Sequence, residues 1–326
     1  GYGAIAAYMR ELLARDFERA TRTHGSAAAV AHLAVGTGHA ALLAFSEPFD
    51  AVEIDAHRLD ARCTIAVPTP GGVERDVLTE RLWWIAAVER ASGAVVAHRV
   101  VFRSEVAAED VAQLISAIAT ERWEPRALAA PLAYPAGAGL PSGIIARLEG
   151  ALPSAILLDN ALAHLARAVH EHARKRFGFA VNYGPVAHFE RRPNVERLFR
   201  SITDELVQRL PSSTGSGPGK RPRGDPAARA VELRVRAADL EGLLDLQAAR
   251  HNATPTEGLA YLSPLQFLEK WLAQYPAYVV RRLPTHLRAA AARVTERANA
   301  MVRGGPKTGR RPYVQIDGVR YTSPIL

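Results

Sequence analysis

The sequence predicts an α/β fold built on a mixed five-stranded sheet flanked by helices. Three strand-like segments follow one another first, which favours antiparallel neighbours, and two short apolar strands then alternate with helices, which favours parallel additions. The chain has 326 residues, of which 48% are hydrophobic. That is enough for a substantial core, and the length exceeds the size at which a single core usually divides. We therefore expect one main domain with appended segments.

The first three strands are indicated by alternation and by the turns between them. Apolar and polar residues alternate from Ala51, and the extended pattern continues to Val67, where a turn rich in Pro and Gly follows. The next two segments, 82–88 and 94–102, are joined by a short loop that contains Gly93. That length and that residue are typical of a hairpin. Three consecutive antiparallel strands are the expected result.

After these strands the pattern changes to alternating helices and strands. Helical spacing of apolar residues or short apolar runs predict a helix over 105–120, a loop over 125–143, a strand over 155–158, a helix over 161–177, a strand over 179–183 and a helix over 194–210. Because a strand, a helix and a second strand in this order form a parallel unit, the two later strands should extend the sheet.

The chain divides into five predicted parts. We expect a helical lead-in over 1–47, a catalytic α/β domain over 48–210, a basic flexible linker over 211–226, a helical extension over 227–302 and a strand-turn-strand segment over 303–326. The sequence begins with Gly rather than Met and ends directly after a strand-like segment. We therefore expect it to be a piece of a longer protein.

Charge and composition narrow the class of protein. Lys and Arg exceed Asp and Glu by eight, and the pI is about 9.9, which favours a polyanionic partner such as nucleic acid over an acidic metabolite. The single cysteine, Cys63, leaves no pair for an internal disulfide or a zinc thiolate site. Apolar runs are too short for a membrane span, and no signal-peptide pattern begins the chain. Only four of the basic residues are lysines, which indicates a GC-rich, bacterial genome. These features predict a soluble cytoplasmic protein.

Three acidic residues fall where the predicted sheet would bring them together. Asp55 lies midway along the first strand, Asp159 follows the fourth, and Glu196 lies in the first turn of a later helix. Hard divalent cations prefer carboxylate oxygens, and two such ions roughly 3.5–4 Å apart can stabilise both the attacking and the leaving oxygen of a phosphoryl transfer. The three acids are therefore candidate metal ligands.

Each acid also has a simpler interpretation. Asp55 could face solvent beside Glu53, and Asp159 could cap the helix that follows it. Glu196 could stabilise its helix N-terminus or pair with Arg200, four residues later. Considered singly, these structural roles are the more common ones, so the functional interpretation depends on the three acids acting together.

The segments that carry these acids resemble a known family. EPFDAVEIDAH (47–57), ILLDNALAH (156–164) and RRPNVERLFRSITDELVQRLPSSTG (191–215) resemble the catalytic core of DDE transposases and retroviral-type integrases, in particular the Mu-like bacterial transposases of heteromeric transposons. The 36 residues between Asp159 and Glu196 match the spacing of that family. Two later segments agree: 252–271 resembles the end of the family's core, and 309–326 resembles the start of its small β-barrel, here truncated.

The resemblance implies a fold, a cofactor and an activity. It implies an RNase H-like domain in which Asp55, Asp159 and Glu196 bind two Mg²⁺ ions, with Mn²⁺ as a substitute. The activity would be hydrolysis at the 3′ ends of a transposon, followed by attack of the freed 3′-hydroxyl on target DNA. The family likeness also implies assembly into a multimer on paired transposon ends, and an AAA+ ATPase partner that selects the target. It places the protein in the bacterial cytoplasm, associated with the nucleoid.

One departure from the family pattern concerns the third acid. Many relatives have Lys-Gly before its Val-Glu, whereas this chain has Pro193 and Asn194, and Glu190 is a rival ligand six residues earlier. We favour Glu196 because its Val-Glu-Arg context and helical position match the family, whereas Glu190 lies in a predicted loop.

Basic residues near these motifs are candidate DNA contacts. Nine Arg or Lys residues and a single acid, Glu296, lie between Arg281 and Arg311, a density suited to neutralising phosphates. A solvated helix face followed by a basic tether would give the same pattern. The candidates for DNA contact are Arg191 and Arg192 beside the third acid, Lys220, Arg221 and Arg223 in the linker, and Arg288, Arg293 and Arg297 in the later basic segment.

Two other functions are consistent with the sequence. An RNase H-like nuclease that only hydrolyses DNA would use the same acids, and a non-catalytic DNA-binding relative would keep the basic segments while its acids no longer meet. Hydrolysis through a serine nucleophile is disfavoured because no Gly-x-Ser-x-Gly motif is present.

Overall fold

The fold is described from a computed structural model that covers residues 2–26, 29–30, 45–69, 72–79, 81–158, 176–182, 193–215, 224–291, 300–316 and 319–323. It confirms the α/β class and the mixed five-stranded sheet flanked by helices. Residues 1–292 form one compact unit and residues 293–326 a second. Within the ranges just given, no helix is long and apolar enough to cross a membrane.

The main sheet combines a hairpin with parallel strands. The strands of the first unit are β1 (Ala51–Arg58), β2 (Thr64–Pro68), β3 (Glu74–Leu78), β4 (Trp83–Glu89), β5 (Val95–Val101), β6 (Ala155–Leu158) and β7 (Ala180–Asn182). The sheet order is β5-β4-β1-β6-β7. β1 pairs antiparallel with β4, which pairs antiparallel with β5, whereas β1, β6 and β7 run parallel. The predicted first and fourth strands, β1 and β6, are therefore neighbours.

Helices cover both faces of this sheet. The helices are α1 (Tyr2–Arg15), α2 (Phe17–His24), α3 (Ala108–Thr120), α4 (Pro141–Ile144), α5 (Pro193–Glu205), α6 (Pro226–Glu232), α7 (Ala237–Ala253), α8 (Pro264–Gln274) and α9 (Thr285–Ala291), with short 3₁₀ turns at Ala146–Leu148, Val207–Arg209, Glu257–Leu259 and Pro306–Thr308. Apolar residues of α3 and α8 pack on one face with Val52 and Ile54 of β1. Residues of α5 and α7 pack on the other face with Trp84 of β4.

The predicted extended run from Ala51 to Val67 is interrupted, and this part of the prediction was wrong. β1 ends at Arg58, and β2 pairs with β3 in a separate two-stranded hairpin. Between the two strands Leu59, Ala61 and Cys63 are buried in the core beneath α5 and α7. The apolar residues fall on even positions in β1 (Val52, Ile54, Ala56) and on odd positions after it, and this change of phase lies where the chain leaves the sheet.

The second unit contains a three-stranded antiparallel sheet. Its strands are β8 (Arg303–Gly305), β9 (Arg310–Ile316) and β10 (Val319–Tyr321), in the order β10-β9-β8. The guanidinium carbon of Arg320 lies 4.9 Å from the centre of the Tyr313 ring, a cation–π arrangement. The predicted hairpin over 313–321 is present, whereas the small β-barrel stays a prediction because the described strands do not close.

Candidate active site

Strand β1 carries three polar side chains on one face. Glu53, Asp55 and His57 alternate with Val52 and Ile54, whose side chains belong to the core under α3 and α8. The three polar residues therefore point to the opposite face, where α5 packs. The burial of Val52 and Ile54 on one face thus fixes the face to which Asp55 points.

Asp55 and Glu196 line the same cavity. It has a volume of about 500 Å³, and both acids are half-buried at its wall. Asp55 Oδ1 also accepts a hydrogen bond of 2.8 Å from the backbone N–H of Ala56. The structure thus brings together two of the three predicted acids. The other lining residues are Ala56, His57, Phe199, Arg200, Thr203, Asp204 and Gln208.

Glu53 fastens the first turn of α5 to β1. Its carboxylate is fully buried, and Oε2 accepts hydrogen bonds of 3.2 Å from the backbone N–H groups of both Asn194 and Val195. Oε1 accepts one of 3.1 Å from the Arg90 guanidinium. The first N–H groups of a helix lack partners within the helix, and a carboxylate is favoured at this positive end. This contact fixes the helix turn that carries Glu196.

His57 makes a second contact with α5. Its Nε2 lies 2.9 Å from Thr203 Oγ1, and its ring stacks on Phe199 with 5.0 Å between ring centres. Burial lowers the pKa of the His57 imidazole; the charge of Asp60 opposes this shift and that of Arg58 adds to it. A neutral ring at neutral pH follows, suited to packing between the strand and the helix.

The second predicted acid, Asp159, lies outside the described residues, as does Glu190, the rival of Glu196 for the third position. The strand that precedes Asp159 is described: Leu158, the last residue of β6, pairs with Ile54, the residue before Asp55. The choice between Glu190 and Glu196 as the third acid remains a prediction. The cavity that Glu196 shares with Asp55 favours Glu196.

Most of the predicted DNA contacts also lie outside the described part of the chain. These are Arg191, Arg192, Lys220, Arg221, Arg223, Arg293 and Arg297. Arg288 is described, and its side chain is only 15% exposed. It donates to a Glu149 carboxylate oxygen, to the Glu149 carbonyl at 3.1 Å and to the Leu283 carbonyl at 3.2 Å. In this arrangement Arg288 ties α9 to the segment around Glu149.

The donor set at the cavity fits a hard divalent cation. Carboxylate oxygens of Asp55 and Glu196 are the ligands that Mg²⁺ prefers, and protein Mg²⁺ sites often combine one or two carboxylates with substrate phosphates. In the part of the chain that the structure describes, no group of three or more His, Cys, Asp or Glu side chains is arranged to hold a metal ion. The site would need Asp159 or substrate oxygens to complete its ligands.

Sequence reasoning missed the buried acids of the fold, among them Glu53 and Asp245. Glu53 was considered only as a solvent-facing neighbour of Asp55. Asp245 of α7, which was not singled out, accepts hydrogen bonds from His98, Trp123 and Tyr134. For Glu53, the local signal was an acidic residue between two apolar ones, Val52 and Ile54. For Asp245 no local signal exists, since its partners lie more than a hundred residues away.

Comparisons with known proteins identify no family for this chain. No model of a known protein family matches the chain, and no curated protein matches it. The likeness to DDE transposases therefore rests on the sequence segments quoted above.

Proposed function

We propose that this chain is a DNA transposase or integrase of the DDE type, with an RNase H-like catalytic domain. The observation that carries the proposal is the shared cavity of Asp55 and Glu196, two acids 141 positions apart in the sequence. It is supported by the pairing of Leu158, next to Asp159, with Ile54, next to Asp55. This is the arrangement that a three-carboxylate site at the centre of such a sheet requires.

In this proposal Asp55, Asp159 and Glu196 would hold two Mg²⁺ ions, with Mn²⁺ as a substitute. Bound Mg²⁺ would stabilise the charge that develops on the attacking and leaving oxygens of a phosphodiester. Glu53 and His57 keep α5 against β1, where Glu196 and Asp55 line the same cavity. Arg200 is exposed on the same cavity and offers a positive charge to a DNA phosphate.

The partners follow from the same proposal. The substrates would be transposon ends and target DNA, and the protein would assemble as a multimer on paired ends, with an AAA+ ATPase as a further partner. The basic residues that would contact the DNA backbone are Arg191, Arg192, Lys220, Arg221, Arg223, Arg293 and Arg297, which predicts binding that weakens steeply with salt. Arg288 is instead engaged with Glu149. A bacterial cytoplasmic location, associated with the nucleoid, belongs to this proposal as well.

The test is a DNA cleavage and joining assay with matched variants. Duplexes from the two ends of the DNA element that encodes the protein are incubated with the full chain, supercoiled target plasmid, and Mg²⁺ or Mn²⁺. Asp55→Asn and Glu196→Gln should each lower product formation by more than about 100-fold, because loss of an outer partner of a metal ligand alone typically lowers activity 10–100-fold. Asp204→Asn, an exposed acid on the same cavity, should retain activity.

The products of this assay distinguish the three candidate functions. Joined products between the element's 3′ ends and the plasmid support the transposase. Cleavage without joining supports the RNase H-like nuclease instead. Salt-sensitive DNA binding without any metal-dependent product supports the non-catalytic relative. An Asp204→Asn variant as inactive as Asp55→Asn would contradict the assignment of the acids.

A further inference from the structure

We propose that Glu53 is a positioning residue that sets Glu196 relative to Asp55. The inference rests on the proposed function, because it assigns Glu53 a role in that same site. Glu53 is fully buried at the interface between β1 and α5, and it is not among the residues that line the cavity. It would act on the reaction only through the helix that it holds.

Glu53 is a charged group that is fully buried in the protein. Transferring a carboxylate from water into a protein interior is unfavourable unless hydrogen bonds and opposite charge compensate. Glu53 receives both: the backbone N–H groups of Asn194 and Val195 donate to one oxygen, and the guanidinium of Arg90 donates to the other. Its compensation therefore depends on α5 staying in this position.

A second feature is the register between β1 and α5. Along one face of β1, Glu53 contacts Asn194 and Val195, Asp55 shares the cavity with Glu196, and His57 contacts Phe199 and Thr203. Successive residues on this face of β1 thus lie beside successive residues along α5. The middle pair consists of the two acids, and a fastening contact lies on each side of it.

A third feature is the anchoring of Arg90, which makes the Glu53 end rigid. Asn194 Nδ2 donates a hydrogen bond of 2.9 Å to the Arg90 carbonyl, and the Arg90 N–H donates one of 3.0 Å to the carbonyl of Ala51. The helix N-terminus is therefore tied to the start of β1 by side-chain and backbone groups. Because Glu196 directly follows Val195, a shift of this turn moves its carboxylate away from Asp55.

The test compares two buried carboxylates of the same sheet. Glu53→Gln keeps an oxygen acceptor for the helix N–H groups but loses the charge that pairs with Arg90, whereas Glu53→Ala removes both. Glu89→Gln is the matched control. Glu89 is also fully buried, on the neighbouring strand, and its hydrogen-bond donors in the described chain are Phe49, Ala91 and Ser92, none of them on α5.

The expected result is a loss of rate without a loss of DNA affinity. Misplacement of a catalytic group by about 1 Å can lower a rate about 100-fold, so Glu53→Ala should lower the single-turnover cleavage rate by about that factor. Glu53→Gln should lower it about tenfold, within the range seen for partners of metal ligands. The DNA Kd should stay unchanged, because Glu53 is buried. Hydrogen exchange at the amides of Asn194 and Val195 should be faster in both variants and unchanged in Glu89→Gln.

The outcomes distinguish failure of the inference from failure of the proposed function. Glu53→Gln serves as the decisive variant if Glu53→Ala does not fold. A wild-type rate in folded Glu53→Gln, while Asp55→Asn is inactive, would overturn the positioning role alone. An equal rate loss in Glu89→Gln would overturn it too, since general destabilisation would then account for the effect. A wild-type protein without metal-dependent cleavage would overturn the proposed function, and the inference with it.

Discussion

Replacing Asp245 with Ala should be the most destabilising single change outside the apolar core. Its carboxylate is 3% exposed, accepts hydrogen bonds from three side chains in distant parts of the chain and lies 3.8 Å from the Arg126 guanidinium. Tyr134 Oη donates at 2.6 Å, His98 Nε2 lies at 2.9 Å, and Trp123 Nε1 donates at 3.2 Å. Asp245 therefore connects α7 to β5 and to the irregular segment that follows α3.

The expected loss of unfolding free energy depends on the side chains that lose their hydrogen-bond acceptor in Asp245→Ala. A hydrogen bond to a charged group contributes about 1.5–3 kcal/mol, but the three contributions do not simply add, because Trp123 and Tyr134 are half-buried and reach water. His98 is the partner left most fully buried, with a side chain 5% exposed. Breaking a buried charged network typically destabilises by about 3–5 kcal/mol. That is a large share of the roughly 5–15 kcal/mol that holds a domain folded.

The assay is urea unfolding of Asp245→Ala beside Glu241→Ala. Glu241 lies one turn earlier on α7, and its side chain is 31% exposed in an ion pair with Arg126 at 3.0 Å. Such a pair contributes about 0–1 kcal/mol, so Glu241→Ala should lower the free energy of unfolding by less than about 1 kcal/mol. A loss below about 1 kcal/mol in Asp245→Ala, at an unchanged slope with urea, would refute the reasoning.

Three further predictions concern stability. Burial alone would raise the pKa of the Asp245 carboxyl, but the hydrogen bond and charge of His98, with hydrogen bonds from Tyr134 and Trp123, hold that pKa below its ordinary 3.8. A carboxylate whose pKa is lowered by folding stabilises the fold at pH values above its pKa in the unfolded chain, and this stabilisation is lost as the pH falls. The difference in unfolding free energy between wild type and Asp245→Ala should therefore shrink below pH 3.8. Ser263→Ala removes the N-cap of α8 and should lower stability by about 1 kcal/mol in thermal unfolding, whereas a neutral effect would show that the cap is dispensable. Leu198→Ala opens a cavity under α5 and should cost about 2–5 kcal/mol; a loss under 1 kcal/mol would mean that the helix repacks.

Much of the sheet could be predicted from local patterns. Alternation places Val52 and Ile54 on one face of β1, and in the same way it places the adjacent residues Trp83 and Trp84 on opposite faces of β4. Trp84 is fully buried under α5, and Trp83 packs against the cluster on the other face. The β2–β3 hairpin was missed because its position depends on distant bonds, such as the one from the Thr64 N–H to the Val235 carbonyl.

Part of the candidate site could likewise be predicted from the sequence, and part could not. Asp55 and Glu196 could be paired from motif spacing and resemblance, and both line one cavity. The sequence shows Glu53 between two apolar residues but does not show that it is buried, because glutamate is almost never fully buried without a partner. Its partners, Asn194 and Val195, lie more than 140 positions later. Long-range packing, which no local pattern encodes, decides whether such an acid faces solvent or supports a helix.

The most direct test of the central claim is a crystal structure grown with Mn²⁺ and a DNA duplex, with anomalous scattering used to locate the metal. Anomalous density should be bound by the carboxylate of Asp55, with Glu196 among the ligands of the same site and Glu53 still bonded to the α5 N-terminus. Density absent from Asp55 and Glu196 in the DNA-bound crystal, or carboxylates pointing away from each other, would contradict it.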